Sequence, residues 1–340
     1  MTEKYFASAN GYSGFRSYFD SVFTEEDLTR LYILKGGPGT GKSTLMKRIS
    51  SEFRELTDKC ELILCSSDPE SLDGVILTTK AGRIAITDGT APHVLDTQFP
   101  GAISEIINLG EGWDSTGLCT KREEITKLII QKKAAYKQAY EMLEVAGRAK
   151  ARYLSIIGEH FDRNRAVTAA KILLSENNRY KEKMSIRLLE SFGKSGRIFL
   201  PAPEGCETIT ICGKYHSADL YLLVIKEVAE NSGYIKTVIP SVLNEYFYHG
   251  IITDTKSYLI SDEGISADEF LSDFTPSEVN ELQTLDTIHE NLLALAKEHF
   301  SIASDKHFLL EKIYSSLMEY TVNEEVENRL KKEIKAFLNL

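Results

Sequence analysis

Short apolar runs and glycine-containing turns alternate over the first third of the chain. Four runs have the length of strands, at residues 31–34, 62–64, 75–77 and 84–86. After the first run, apolar residues recur at helical spacing and predict one buried helix face, made of Leu45, Met46, Ile49 and Phe53. This alternation predicts an α/β domain over residues 1–117.

The pattern then changes twice between helices and strands. Residues 118–196 carry a long apolar stripe that predicts a hairpin of two antiparallel helices. Short strands return over residues 197–264, and a C-terminal helical region follows over residues 265–340, with apolar spacing around Leu285, Ile288, Leu292 and Leu295. We therefore expect four segments with these bounds.

Two of these segments resemble each other in sequence, which indicates a duplicated unit. Four pairs of matching positions carry this interpretation: Phe6 and Ala9 with Phe199 and Ala202, residues 32–36 with 209–213, 74–76 with 250–252, and 86–88 with 260–262. The alternative is a chance likeness between short strands.

A glycine-rich motif, GGPGTGKST, lies between the first predicted strand and its helix. It matches GxxxxGK(S/T), the loop that binds nucleotide phosphates. The glycines let several N–H groups converge on one point, and the following helix directs its positive end there. The predicted phosphate-binding residues are Gly36, Gly37, Pro38, Gly39, Thr40, Gly41, Lys42, Ser43 and Thr44. Lys42 would reach the β- and γ-phosphates, and the Ser43 hydroxyl would ligate Mg²⁺.

A magnesium nucleotide site also needs a carboxylate at the end of a neighbouring strand. Asp88 follows a predicted strand directly, and Asp68 follows another through two serines. We favour Asp88 and keep Asp68 as the alternative metal-side acid. The apparent counterpart of Asp88 in the second copy, Asp262, raises the alternative that Asp88 only orients a turn.

The segment after Asp88 is rich in turn-forming and polar residues. His93 lies where it could face the γ-phosphate, so we assign it a catalytic role, against the alternative of an ordinary hydrogen-bonded histidine. We interpret Trp113 as a core residue rather than an adenine platform. A cation that stabilises the transferred phosphoryl group could come from Arg163, Arg165 or Arg197.

The second copy has lost the motif. Residues 213–221 read GKYHSADLY, which contains one glycine and no lysine followed by a hydroxyl. Asp219 would also repel a phosphate. We therefore expect one active and one degenerate unit.

Composition narrows the class of protein. The chain has 340 residues, 42% of them hydrophobic, and a formal net charge of −10, so it has no global basic field that would hold a nucleic acid. Its five cysteines include no CxxC pair, which favours reduced thiols. The N-terminus lacks the apolar core of a signal peptide and no apolar stretch has membrane-spanning length, so we expect a cytoplasmic protein.

The motif GGPGTGKST, together with DGTAPHVLD, PGAISEIINLGEGWD and the opening FASAN, resembles a family of bacterial P-loop ATPases with two P-loop-type halves separated by helices. The resemblance covers most of the chain and implies ATP as the nucleotide. The chain departs from the family at Thr97, where proline is usual, and at residues 213–221, where the family commonly keeps a second phosphate loop.

These observations predict a Mg²⁺-dependent ATPase with a P-loop NTPase-type fold, whose hydrolysis drives movement between an active and a degenerate half. Two alternatives stay open. One is a nucleotide-gated binding or scaffold protein whose long helices contact a protein partner, and the other is a small-molecule kinase.

Overall fold

A computed structural model describes residues 1–202 and 206–339. The strands are β1 (Thr2–Phe6), β2 (Ser8–Gly11), β3 (Gly14–Ser17), β4 (Arg30–Lys35), β5 (Lys59–Leu64), β6 (Leu72–Thr79), β7 (Gly82–Asp88), β8 (Ser104–Asn108), β9 (Ser185–Ile186), β10 (Glu190–Gly193), β11 (Gly196–Phe199), β12 (Glu207–Cys212), β13 (Thr237–Pro240), β14 (Tyr248–Ile252), β15 (Lys256–Ile260) and β16 (Ile265–Ser266). The α-helices are α1 (Phe19–Val22), α2 (Lys42–Phe53), α3 (Ser115–Thr120), α4 (Arg122–His160), α5 (Arg163–Leu173), α6 (Ser217–Ser232), α7 (Pro276–Ser316) and α8 (Thr321–Leu338).

The chain forms two compact units, each built from separate stretches of sequence. The first unit comprises Met1–Ser8, Ser17–Gln138 and Glu298–Leu340, and the second comprises Ala9–Arg16 and Ala139–Lys297. These units differ from the four contiguous segments predicted from the sequence. Residues 203–205 and 340, which fall in the third and fourth of those segments, lie outside the described residues.

The first unit contains a six-stranded mixed sheet in the order β1-β5-β6-β7-β4-β8. Strand β4 runs parallel to both of its neighbours, and its residues 31–34 are fully buried. The four apolar residues predicted for the face of α2 are all buried, as expected. The first third of the chain is therefore an α/β layer, as its pattern predicted.

The second unit contains a sheet of the same topology. Its order is β9-β13-β14-β15-β12-β16, and every neighbouring pair has the same parallel or antiparallel sense as the corresponding pair in the first sheet. The hairpins β2–β3 and β10–β11 also correspond, since each turns through Gly-x-Ser-Gly. The protein therefore has two similar halves.

Strand register corrects two of the four sequence matches that suggested this duplication. Asp88 pairs with Leu34, and the position equivalent to Leu34 is Ile211, which pairs with Ile260. Asp88 thus corresponds to Ile260 and not to Asp262. Phe199 ends a hairpin strand, whereas Phe6 ends β1, so these two residues do not correspond either. A short sequence match does not show which residues pair across two strands. The hydrogen-bonded pairing of the strands shows which positions correspond.

The predicted helical hairpin over residues 118–196 is wrong. Residues 122–160 form one continuous helix, α4, followed by the short α5. The apolar stripe of α4 packs on α7 in both units: Ile125 and Leu128 lie against Leu310 in the first, and Tyr153 and Ile157 lie in a cluster with Leu282 in the second. The pairing partner of α4 is therefore more than a hundred residues away along the chain.

The C-terminal helices are exchanged between the two halves. Helix α5 follows the first sheet in sequence but belongs to the second unit, and α8 follows the second sheet but belongs to the first. In the first unit Trp113 forms a β-bridge with Met318, and the equivalent bridge in the second unit joins Phe161 to Leu271. Each sheet is thus completed by helices that come from the other half of the sequence.

Candidate functional site

The glycine loop, residues 36–41, leads from the end of β4 into α2. Gly39 and Gly41 have φ angles of 73° and 79°, in the left-handed region that glycine adopts without strain. A Cβ atom on Gly39 would lie 2.8 Å from the carbonyl oxygen of Glu311. The loop conformation and the close approach of α7 both require glycine at this position.

Lys42, the first residue of α2, folds back over the loop. Its Nζ atom donates hydrogen bonds to the carbonyl oxygens of Gly36 at 2.6 Å and Gly37 at 3.0 Å, and it lies 3.6 Å from Oδ2 of Asp88. The side chain is 11% exposed. The ammonium group is therefore held at the mouth of the loop, next to a carboxylate at the end of the neighbouring strand.

The hydroxyl groups of the motif differ in their surroundings. Ser43 Oγ accepts a hydrogen bond from the backbone N–H of Leu72 at 2.9 Å, and Thr40 Oγ1 donates to the carbonyl oxygen of Gly37 at 2.9 Å. Thr44 is exposed, and Pro38 is half-buried. Ser43 therefore links the start of α2 to the start of β6.

Three carboxylates follow or begin the strands at this edge of the first sheet. Asp88 Oδ1 accepts hydrogen bonds from the backbone N–H and the hydroxyl of Thr90. Asp68 Oδ2 accepts one from the Ser71 hydroxyl at 2.8 Å. The third carboxylate, Asp73, lies on β6 next to Gly74, which pairs with Thr87 of β7. Asp73 was not among the residues predicted from the sequence.

Asp73 is the most deeply buried of the three, at 6% exposure. Burial, and then the charge of Asp88, raise the pKa of its carboxyl group to about 8. Its Oδ2 atom has no hydrogen-bond partner among the described residues. A buried carboxyl oxygen without a partner is uncommon in a folded protein and is typical of a site that receives a water molecule, an ion or a substrate.

His93 lies directly beside Asp73. Its Nε2 atom is 3.3 Å from Asp73 Oδ2, and its ring stacks on Phe19 with centroids 4.4 Å apart. Burial lowers the pKa of His93 to about 4, so the imidazole is neutral near pH 7. The structure thus brings together three of the residues predicted for catalysis and metal binding, Lys42, Asp88 and His93, and adds Asp73, which was not predicted.

The junction between α7 and α8 contacts the outer side of the glycine loop. The Tyr320 hydroxyl donates to the carbonyl oxygen of Gly39, and Asn323 Nδ2 donates to that of Thr40, both at 2.8 Å. These bonds span more than 280 residues of sequence. A local sequence pattern could not have revealed them.

Trp113 packs beside the loop. A Cβ atom on Gly37 would lie 3.2 Å from its ring, and the Tyr314 ring is 5.6 Å away, centroid to centroid. The indole N–H is buried and has no hydrogen-bond partner among the described residues. Trp113 therefore packs against the loop, but it is half-buried and does not belong to the fully buried core that the sequence predicted for it.

In the second unit, a side chain of the protein lies against the loop that corresponds to the glycine loop. Asp268 Oδ1 accepts hydrogen bonds from the backbone N–H of Lys214 at 2.7 Å and from the Ser217 hydroxyl at 2.9 Å. Tyr215 and His216 both have positive φ angles, of 52° and 59°. Asp219 pairs with His216 at 2.9 Å. A carboxylate of this unit thus takes the loop N–H group that a phosphate would need.

The three candidate arginines belong to the second unit, and each faces an acid there. Arg163 pairs with Glu227, Arg165 lies 3.9 Å from Glu269, and Arg197 pairs with Glu190. Their assignment as a source of positive charge during phosphoryl transfer stays a prediction.

The described residues contain no group of three or more His, Cys, Asp or Glu side chains arranged to hold a metal ion. Magnesium at nucleotide sites needs only one or two protein ligands, because phosphate oxygens and water supply the rest. Ser43, Asp88 and Asp68 are oxygen donors, and the unpartnered oxygen of Asp73 lies among the same strand ends. This set fits Mg²⁺ in chemistry.

No protein-family model, curated protein sequence or solved structure matches this chain. Within the part of the chain that the structure describes, no helix is both long and apolar enough to span a bilayer. The resemblance to two-halved P-loop ATPases therefore stays a prediction.

Proposed function

We propose that the first unit binds ATP with Mg²⁺ and hydrolyses it to ADP and phosphate. One observation carries this proposal: the two halves have similar sheets, but Lys42, Asp68 and Asp88 of the half with the glycine loop have no charged counterpart at the matching positions of the other half. Asp88 corresponds to Ile260, and matching hydrogen bonds place the next residues, Gly89 and Ser261, opposite Leu34 and Ile211.

Two further positions follow the same rule. Lys42 and Ser217 each begin the helix after the loop. Asp68 corresponds to Asn244, since each accepts a backbone hydrogen bond from the third residue after it. A charge needed only for folding would be retained with the fold. The joint loss of Lys42, Asp68 and Asp88 therefore favours one shared role in the chemistry of the loop.

Each residue has a part in the proposed reaction. The loop N–H groups and the N-terminus of α2 hold the phosphates, and Lys42 moves from the loop carbonyl oxygens to the β- and γ-phosphates. Ser43 and Asp88, with Asp68 as the alternative acid, hold Mg²⁺, which neutralises charge on the phosphates when bound. The neutral ring of His93 borders the γ-phosphate side. ATP is preferred over GTP here because of the resemblance.

Coupling of hydrolysis to movement is part of the proposal. Residues 311–323 contact the glycine loop, and α7 continues from the first unit into the second. A shift of the loop on nucleotide binding would therefore act on the end of a 41-residue helix.

The test compares Lys42→Ala with Lys47→Ala, a matched control that removes an exposed ammonium group from the same helix. We expect wild type and Lys47→Ala to hydrolyse ATP only with Mg²⁺, and Lys42→Ala to lose hydrolysis. Phosphate release measures turnover, and calorimetry with ATP and GTP measures binding. Equal turnover in Lys42→Ala and wild type would contradict the proposal. Tight binding without turnover in wild type would favour the nucleotide-gated alternative, and phosphate transfer to an added metabolite would favour the kinase.

A further inference from the structure

Asp73 is a buried carboxyl group that the assignments above do not use. Its Oδ2 atom is buried, lies 3.3 Å from His93 Nε2 and has no hydrogen-bond partner among the described residues. Leaving such an oxygen atom without a partner costs about 1–3 kcal/mol, so its presence in the protein calls for a function. The carboxyl group also faces both Asp88 and Lys42, whose charges act on it in opposite directions.

The second unit shows that the fold does not need a carboxylate here. Gly74 corresponds to Gly250, so Asp73 corresponds to His249, which precedes that glycine on β14. The strand and its two neighbours keep the same arrangement with a histidine at this position. Asp73 is thus lost together with Lys42 and Asp88, and it belongs with them to the glycine loop.

We propose that Asp73 is a catalytic residue that holds the attacking water for ATP hydrolysis, with His93 as the second wall of the water site. This inference rests on the proposed function. The water oxygen attacks the γ-phosphorus, and the bond from that atom to the β,γ-bridging oxygen breaks. The electron pair leaves with ADP, and the proton that the water loses ends on the released phosphate. Asp73 acts as a hydrogen-bond acceptor that orients the water.

The geometry explains why this residue and not a neighbour has the role. Asp88 Oδ1 is already occupied by Thr90, and Asp68 Oδ2 by Ser71. Asp73 Oδ2 has no hydrogen-bond partner among the described residues and can accept a hydrogen bond. The His93 ring beside it is held in place by its stacking on Phe19. Misplacing a reacting group by about 1 Å costs about 10²-fold in rate, so a fixed acceptor next to the water has a large effect.

The experiment measures kcat, the affinity for a non-hydrolysable ATP analogue and the Mg²⁺ requirement in three variants. Asp73→Ala removes the acceptor, Asp73→Asn keeps the shape and one oxygen, and Asp58→Ala is an exposed control in the same unit. We expect Asp73→Ala to lower kcat by about 10²-fold, with a smaller loss in Asp73→Asn. Analogue affinity and Mg²⁺ requirement should stay within about twofold of wild type. Asp58→Ala should equal wild type in all three.

A second measurement separates a water-positioning role from a structural one. ADP with Mg²⁺ and aluminium fluoride mimics the transition state with its attacking water. Wild type should trap this complex, and Asp73→Ala should bind MgADP without trapping it. Unchanged kcat in both Asp73 variants, or a loss matched by weaker analogue or Mg²⁺ binding, would overturn the assignment. Wild-type protein that binds no nucleotide would instead refute the proposed function itself.

Discussion

The buried carboxyl group of Asp73 makes a quantitative prediction for the pH dependence of stability. Its pKa is about 8 in the folded protein, against an ordinary value of 3.8 that we take for the unfolded chain. Between these values the folded state binds one more proton than the unfolded state. The free energy of unfolding should therefore fall by about 1.4 kcal/mol per pH unit as pH rises through this window.

His93 acts in the opposite direction over part of the range. Its pKa is about 4 when folded and ordinarily 6.5, so its contribution to stability is present above pH 6.5 and is lost as pH falls towards 4. The two contributions nearly cancel below pH 6.5, and the loss from Asp73 continues alone up to about pH 8. The contribution of Asp73 is isolated by comparing wild type with Asp73→Asn, which has no proton to lose.

The assay is urea unfolding followed by the fluorescence of Trp113, the only tryptophan, which lies in the first unit and so reports on that unit. Relative to Asp73→Asn, wild type should lose about 3 kcal/mol of stability between pH 5 and pH 7. Asp58→Asn, which removes an exposed carboxylate, should follow the wild-type curve. A wild-type curve that stays parallel to that of Asp73→Asn from pH 5 to pH 7 would refute the reasoning, because it would mean that Asp73 ionises normally in the folded state.

Two further predictions test whether α8 supports the glycine loop and whether the loop of the second unit, residues 213–221, binds a nucleotide. Asn323→Leu removes the hydrogen bond from α8 to Thr40, and we expect up to about a tenfold loss of ATP affinity by calorimetry, in line with the usual 0.5–1.5 kcal/mol for one hydrogen bond. Glu325→Leu, at an exposed position of the same helix, is the control. Equal affinities in the two variants would show that α8 does not support the loop. The wild-type chain should bind one nucleotide and not two, because Asp268 already accepts hydrogen bonds from the loop of the second unit. Lys42→Ala should bind none. A calorimetric stoichiometry of two nucleotides per wild-type chain would contradict this.

Local features of the sequence predicted the centre of the first unit well. The strand at 30–35, the glycine loop and the buried face of α2 depend on residues within about 25 positions of one another. Glycine spacing and helical periodicity therefore specify them without tertiary information. A carboxylate at a strand end near Lys42 was also expected, but the sequence left Asp88 and Asp68 open. The pairing of β4 with β7 places Asp88 3.6 Å from Lys42.

Tertiary structure alone decided the other features of the site. Asp73 is the second residue of β6, which runs antiparallel to its neighbours, so the first residues of that strand lie where parallel strands end. No pattern along the chain shows which strand is reversed, and the strand pairings that reverse it join residues far apart in sequence. The sequence did not predict that α5 belongs to the second unit and α8 to the first, because this too depends on contacts between distant residues. Amphipathic helices show which face is buried but not which sheet buries it, and that choice depends on packing between distant parts of the chain.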